Sequence, residues 1–396
     1  MSTAARVGLA AAILVPLLLV GVLLVLANRQ PASTPGQFDA VAFNRAMADG
    51  DARLAEGNYE AAFGSYDQAA EANPLSPAPA VKRGNVLLAQ GQIEDAIEQY
   101  NAAIKKDPSY AQAYFQIGEA YRSQGDSGAA LSQYERTLRV DPAFADAYIQ
   151  MGGLYQDRGD LARAEELYNE ALRAAVTDLR ARASALTRLG NLEALQGRTD
   201  QAIVRYQQAQ QEDPGFVGSY IQLGQVYLGQ EQWDLALQQF EAAVQNASTN
   251  PDARFFLGQV YSRLGQLDQA ETELREAVRL APTSERAVLW LGQVYSTRGR
   301  PAEAIALYQQ ALEQIAGSRE IGLALASAYR DQGQYQQALE QYQAGIEASP
   351  DDADIYTELG ATYQAMGDAV KAEEALARVA AQAAEQPRQV AQALTK

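Results

Sequence analysis

Neither cysteine nor histidine occurs anywhere in the 396 residues of this chain. Without cysteine there is no disulfide, no thiolate nucleophile and no cysteine-based metal site, and the absence fits either side of a bacterial membrane. Without histidine the commonest general base and the commonest metal ligand are gone as well. Positive charge is scarce too: 32 Lys and Arg stand against 49 Asp and Glu, for a formal net charge of -17 and a pI of about 4.6. The cationic face that a phosphate backbone requires is missing, which argues against a nucleic-acid partner. Such acidity mainly keeps a surface soluble. There is also no phosphate loop, dinucleotide fingerprint, metal-ligand cluster or nucleophile with a plausible base. Carboxylates fall on solvated helical faces, Glu165-Glu166 and Glu373-Glu374 among them, whereas a catalytic pair needs a closed pocket to separate its pKa values. The expectation is a protein that is not an enzyme and uses no cofactor or metal. The sequon Asn246-Ala247-Ser248 is short enough to arise by chance and carries no weight.

What is present begins with one long apolar run. After a short tail at 1–6, Val7 to Ala27 is 21 residues without a charge, and at about 1.5 Å per residue it spans roughly 30 Å, the depth of a hydrocarbon core. It reads as one transmembrane helix with Pro16 in its middle, which bilayer helices tolerate. The rival reading is a cleaved signal peptide ending near Val25-Leu26-Ala27, but the apolar region is too long for one and lacks a polar lead-in. Arg6 and the terminal amine lie on one side of the run and Arg29 and Arg45 on the other, so charge says little about orientation. The short amino tail favours a cytoplasmic N-terminus, in a bacterial inner membrane, with the rest of the chain extracytoplasmic. Residues 28–42 form a tether, with Pro, Ser, Thr and Gly concentrated between Gln30 and Gln37.

From 43 to 386 a cassette returns every 34 residues. Ten units begin at Phe43, Pro77, Ala111, Ala145, Ala183, Val217, Pro251, Glu285, Arg319 and Ala353. Position 8 is Gly in every unit except the ninth, which has Ala326, and position 20 is Ala throughout, from Ala62 to Ala372. In the third unit Tyr114, Ile117, Gly118 and Tyr121 share one helical face, and Gly125 stands where a helix stops in the left-handed region. A second helix follows, with Ala130, Tyr134, Thr137 and Leu138 along its apolar stripe, and Asp141-Pro142 ends it. Gly118 and Ala130 permit close approach of the two helices, while the large residues at positions 11 and 24, such as Tyr155 and Tyr168, are expected to fill the space between neighbouring pairs. No unit buries its own face, so stability comes from stacking.

Aromatic or apolar at 4, Leu at 7, Gly at 8, Tyr at 11, Gly at 15, Ala at 20, aromatic at 24, Ala at 27 and Pro at 32 is a pattern that resembles the tetratricopeptide repeat. Tyr356, Leu359, Gly360, Tyr363, Gly367 and Ala372 show it in the tenth unit, with Tyr134 and Pro142 adding to it in the third. The resemblance implies an all-α, right-handed superhelical solenoid of antiparallel helix pairs, here behind one N-terminal transmembrane helix. Several departures stand out. Asp49 and Arg83 replace Leu in the first two units, which suits a polar cap, and Glu231 replaces the turn glycine of the sixth. The fourth unit carries four extra residues in the stretch Ala174 to Arg182, about one helical turn, so a lengthened helix and a local irregularity are expected there, separating units one to four from five to ten. Residues 387–396, after Pro387, are expected to cap the end through Val390 and Leu394.

The resemblance further implies that helix A of each unit lines a concave groove holding a peptide or a partner's helix, through positions 2, 5, 9 and 12 with 6 at the margin. Position 9 is rich in amides, Asn85, Asn191, Gln225, Gln259 and Gln293, and a row of amides can pair with the backbone of an extended peptide whatever its sequence. The competing explanation is that this chain uses Gln freely on every exposed face. Position 5 is mostly apolar, with Phe115 an example. In units seven and eight Phe255, Phe256, Leu289 and Trp290 are expected to form one apolar patch, since clustered aromatics anchor interfaces. The competing explanation is partial burial against the neighbouring unit. Trp233 and the Tyr residues at 11 and 24 read as packing. A clamp for a terminal carboxylate lacks its basic residues, because position 5 has no Lys or Arg and position 6 has only Lys82 and Arg188. The expected function is a membrane-anchored scaffold that binds a partner protein or peptide in the groove, in envelope assembly or secretion. The alternative is a structural subunit of a larger membrane complex, working through its convex face or its anchor.

Overall fold

The computed structural model describes residues 38–380, and every regular element among them is an α-helix. Val7 to Ala27 and residues 387–396 lie outside the described residues. No helix among the described residues is long and apolar enough to cross a membrane. The described chain divides into two compact units, the first ending at Ala174 and the second starting at Ala175.

The first unit holds four helix pairs: α1 (Ala40–Ala55) with α2 (Tyr59–Ala72), α3 (Ala78–Ala89) with α4 (Ile93–Lys106), α5 (Ala111–Ser123) with α6 (Ser127–Val140), and α7 (Ala145–Asp157) with α8 (Leu161–Ala174). The second holds α9 (Leu179–Leu195) with α10 (Thr199–Glu212), α11 (Val217–Gly229) with α12 (Trp233–Asn246), α13 (Pro251–Arg263) with α14 (Leu267–Leu280), α15 (Glu285–Thr297) with α16 (Pro301–Gln314), and α17 (Arg319–Asp331) with α18 (Tyr335–Ala348). It closes with α19 (Ala353–Ala365) and a helical stretch at 369–380. In the second unit each A helix also touches the A helix of the next pair. Position 9 therefore recurs on helices that stand side by side.

The turn between A and B is set by backbone chirality. Its residue is left-handed in every repeat: Gly57, Gly91, Gly125, Gly159, Gly197, Gly265, Gly299, Gly333 and Gly367 have φ between 71 and 80°, and Glu231 alone reaches the region with a side chain, at φ 58°. Glycine enters this region without a steric cost, whereas a residue with a Cβ pays for it in strain.

Within a pair, the ring at position 24 lies on the glycine at position 8. A Cβ placed on Gly118 would stand 2.5 Å from Cε1 of Tyr134, and one on Gly152 would stand 2.5 Å from Cε1 of Tyr168. Tyr66, Tyr100, Tyr134 and Tyr168 are fully buried by this arrangement. These rings also reach the next repeat as expected, Tyr100 joining Ala113 and Ile117 and Tyr134 joining Ala147 and Met151, and to that they add a contact inside their own pair, where the missing side chain on helix A leaves a slot one ring wide.

One boundary also differs from expectation, and the lengthened helix expected at the insertion is found in α9. The tether was expected to run to residue 42, but α1 already starts at Ala40, because Asp39 caps it by accepting hydrogen bonds from the backbone N–H groups of Val41 and Ala42 at 3.1 and 3.0 Å. The four extra residues do not lengthen the B helix of the fourth repeat, since α8 keeps the 14 residues typical of B helices. They lengthen α9, which has 17. Asp178 starts that helix early by accepting from the N–H of Ala181 at 2.9 Å, and Arg182 secures the added turn through two bonds to Glu212 at 2.9 and 2.7 Å.

Candidate functional site

Position 9 sits one residue after the glycine on which the ring of position 24 rests, so a phenol at 24 ends within reach of whatever stands at 9. Tyr66 donates to Asp51 at 2.7 Å, Tyr100 to Asn85 at 2.9 Å, and Tyr206 to Asn191 at 2.8 Å. Tyr134 donates to Glu119 in the same way. In the fourth repeat position 9 is Gly153, and Tyr168 turns instead to Gln156 at position 12, at 3.0 Å. A buried hydroxyl needs a partner, and the residue at 9 provides it. Burial holds these phenols in their neutral form: Tyr206 is pushed up to about 12 by burial and then by the nearby Glu193 charge, and the Tyr100 and Tyr134 hydroxyls are raised as well, mainly by burial.

The expected groove amides therefore fall into two classes. The carbonyl oxygens of Asn85 and Asn191 are occupied by phenols of their own repeats, which corrects the reading of them as fully available to a peptide. Gln225, Gln259 and Gln293 belong to three successive repeats in which this latch is absent. Phe240 replaces the tyrosine in the sixth repeat and Leu274 in the seventh. In the eighth, Tyr308 slides so that its hydroxyl, rather than the ring edge, lies over Gly292. None of the three carboxamides has a hydrogen-bond partner among the described residues, and Oε1 of Gln259 is buried besides. The hydrogen-bonding capacity of these three amides is therefore unused within the chain.

The aromatic residues expected beside this row are present but covered. Phe115 is buried, packed on Tyr134 and Phe144 with ring centroids 5.6 and 5.0 Å away. Phe255 is only 5% exposed. Phe256 is half-buried and stacks on Phe240 of the preceding repeat at 5.2 Å, with the planes 12° apart. Leu289 and Trp290 are half-buried against the same core as Phe255. Two cations then close over the rings. The Arg286 guanidinium lies 4.8 Å from Phe255 and 5.3 Å from Phe256, and that of Arg263 lies 5.4 Å from Trp290. Arg286 is also paired with Asp252. The four residues expected to form one apolar patch do gather against one core, but as a floor of packed rings under arginine lids, because stacking two repeats buries position 5 and half of position 6. The lids were missed from the sequence, although Arg286 occupies position 2, itself a groove position, directly after the repeat that carries the paired Phe residues.

Among the described residues no group of carboxylates is arranged to hold a metal ion. Large exposed apolar residues include Val204, Leu235 and Val370.

Family comparisons agree with the cassette. Models described as TPR repeat or tetratricopeptide repeat match residues 84–125, 111–144, 144–211, 221–285, 260–319, 295–345 and 326–367. The chain belongs to the tetratricopeptide repeat family. Among solved structures it is similar to a monomeric mutant of IFIT1 with Gppp-AAAA, at 17% identity over 87% of this chain and 82% of that one, with a TM-score of 0.53. A human IFIT1 dimer with PPP-AAAA gives 17% identity over 88% and 96%, with a TM-score of 0.51. A tetratricopeptide repeat protein from Parabacteroides merdae gives 17% over 64% and 99%, with a TM-score of 0.46. Identities of this size speak for the fold alone. No curated protein matches the sequence.

Proposed function

We propose that this protein is a membrane-anchored scaffold that holds an extended segment of a partner protein against the A helices of repeats six to eight, in envelope assembly or secretion. The observation that carries this reading is the run of unlatched amides at Gln225, Gln259 and Gln293, where the other groove amides are tied to their own repeats. The ligand's backbone N–H and C=O groups pair with these amides. The guanidinium groups of Arg263 and Arg286 meet its carboxylate or carbonyl groups, or swing aside to let an apolar residue reach the rings beneath. The charge-free run from Val7 to Ala27 supports anchoring, and an extracytoplasmic array in a bacterial inner membrane is part of this proposal. No enzymatic step is proposed.

The test uses full-length protein purified from membranes in detergent. The partner retained by the wild type is expected to be lost by the triple variant Gln225→Leu, Gln259→Leu, Gln293→Leu and kept by Asn85→Leu. Equal retention by both variants would overturn the groove reading in favour of a subunit that works through its convex face or its anchor. Deletion of 7–27 is expected to move the protein to the soluble fraction, and protease applied to intact spheroplasts is expected to cut the array. Protection there would place the array in the cytoplasm.

A further inference from the structure

Position 4 of the cassette is tyrosine in repeats three, four, six and ten, as Tyr114, Tyr148, Tyr220 and Tyr356. Where the phenol has a partner, that partner is the backbone carbonyl at position 32 of the preceding repeat. Tyr114 donates to Pro108 at 3.2 Å and Tyr356 to Pro350 at 3.0 Å. Repeat seven meets the same need with another side chain, Nε of Arg254 donating to the carbonyl of Ser248 at 2.9 Å. In these three cases the corner between consecutive repeats is filled by a long side chain ending in a donor, whereas repeats one, two, five and eight place Ala46, Ala80, Leu186 and Val288 at position 4.

Repeat nine leaves its corner empty. Position 4 is Gly322, and a Cβ built there would meet no atom within 4 Å. Position 27, an alanine in most repeats, is Gly345. The acceptor equivalent to Pro108 and Pro350 is Ala316. Around these residues lies a cavity of about 360 Å³, walled by Leu312, Ala316, Gly322, Leu323, Gly345 and Ile355, between the end of α16 and helices α17, α18 and α19. Arg319 stands at its mouth and is held by Asp352 and Asp354, with bonds of 2.7 and 2.6 Å to one nitrogen, so the arginine does not fold inward to fill the space.

We propose that this cavity receives the side chain of a tyrosine from a partner polypeptide, with the ring where repeats three and ten keep their own and the phenol donating to the Ala316 carbonyl. The volume falls within the range of small-ligand sites, about 300–1,000 Å³, and apolar cavities smaller than this admit a benzene ring. This chain's own remaining segments cannot supply the ring, since residues 1–37 and 381–396 contain no Phe, Tyr or Trp. The site does not depend on the groove of repeats six to eight, and either can stand if the other falls.

The test is ligand-detected NMR on the full-length protein in detergent, with N-acetyl-L-tyrosinamide, N-acetyl-L-phenylalaninamide and p-cresol as probes. The tyrosine amide and p-cresol are expected to bind, and the phenylalanine amide about fivefold more weakly, the equivalent of one hydrogen bond. Gly322→Tyr is expected to abolish binding of all three by filling the cavity from within. Because the chain has no cysteine, Gly322→Cys creates a unique thiol, and benzyl methanethiosulfonate can fill the cavity after folding. Binding is then expected to vanish on labelling and return with reductant, which decides the matter even if Gly322→Tyr does not fold. Binding that survives both blocks, or no binding by any probe, would overturn the proposal. Binding of p-cresol alone would also overturn it, by making this a site for a free phenol. Labelling that dissociated this protein from itself would identify a second copy as the partner.

Discussion

Repeats three and seven are written in the same cassette and use it for different ends. In repeat three the Tyr134 ring lies on Gly118 and its hydroxyl donates to Glu119, so the residue at position 9 is a structural acceptor. In repeat seven Leu274 lies on Gly258, no hydroxyl arrives, and Gln259 is left with a buried oxygen that nothing satisfies. Helix A presents a polar side chain in both cases, and the residue fifteen positions downstream decides whether that side chain is satisfied within its own repeat. The proposed groove site thus coincides with repeats in which a stabilising contact has been given up.

The strongest way to break this comparison is alkali. A buried phenol must stay neutral, and its folded pKa lies above the ordinary value near 10, up to about 12 for Tyr206 and Tyr308, with burial the leading cause. The unfolded chain then releases these protons first, so stability is fully present below pH 10 and falls as pH rises through the folded values. Hydrogen exchange is expected to show protection collapsing above pH 10 in α5 and α6 before it does in α13 and α14, which carry no phenol at position 24. Simultaneous collapse would mean that the latch does not distinguish the two regions.

Next in size is the slot beneath the ring. Gly118→Ala places a Cβ 2.5 Å from a fully buried, rigid Tyr134, and thermal unfolding is expected to show a loss of about 1–3 kcal/mol. Gly360→Ala is expected to cost less, because the nearest atom is Cγ of Leu376 at 3.1 Å, on an exposed side chain free to shift. Removing the hydroxyl alone by Tyr100→Phe is expected to cost about 1 kcal/mol, and it frees Asn85. The mirror change, Phe240→Tyr, offers Gln225 a donor and is expected to add up to about 1 kcal/mol while weakening partner binding severalfold, a pairing of signs that calorimetry with the identified partner would check. The smallest expected effect is Glu231→Gly, which relieves the left-handed residue in the turn of repeat six and is expected to raise stability by about 0.5–1 kcal/mol, readable as a shift in melting temperature.

Much of the architecture can be read before any coordinates. Glycine at 15 marks a left-handed turn because chirality forbids most other residues there, and the apolar spacings at 4, 7, 8 and 11 mark a helix because its period is a property of the backbone. Other features could not be read in this way. Phe255 and Phe256 look alike as letters, yet stacking buries one and leaves the other half-covered beneath Arg286. The extra turn at Ala174 to Arg182 suited α8 or α9 equally by composition, and the cap at Asp178 with the Arg182 to Glu212 pair assigned it to α9. The latch itself left a trace that could have been found: Asp51, Asn85, Glu119 and Asn191 each precede a tyrosine by fifteen residues, and Gln225 and Gln259 do not.

The sequence by itself determined the register of the repeat, the pairing of helices, the turns and the family, because each follows from periodicity and backbone geometry within some thirty residues. The tertiary structure alone decided which amides are free, which aromatic rings are covered and by which arginines, and that the missing side chain of Gly322 leaves a cavity rather than a collapsed corner. These outcomes depend on contacts between side chains of separate helices. A residue's chemistry is written in its own letter, but its availability is settled by the neighbour that packing brings to it.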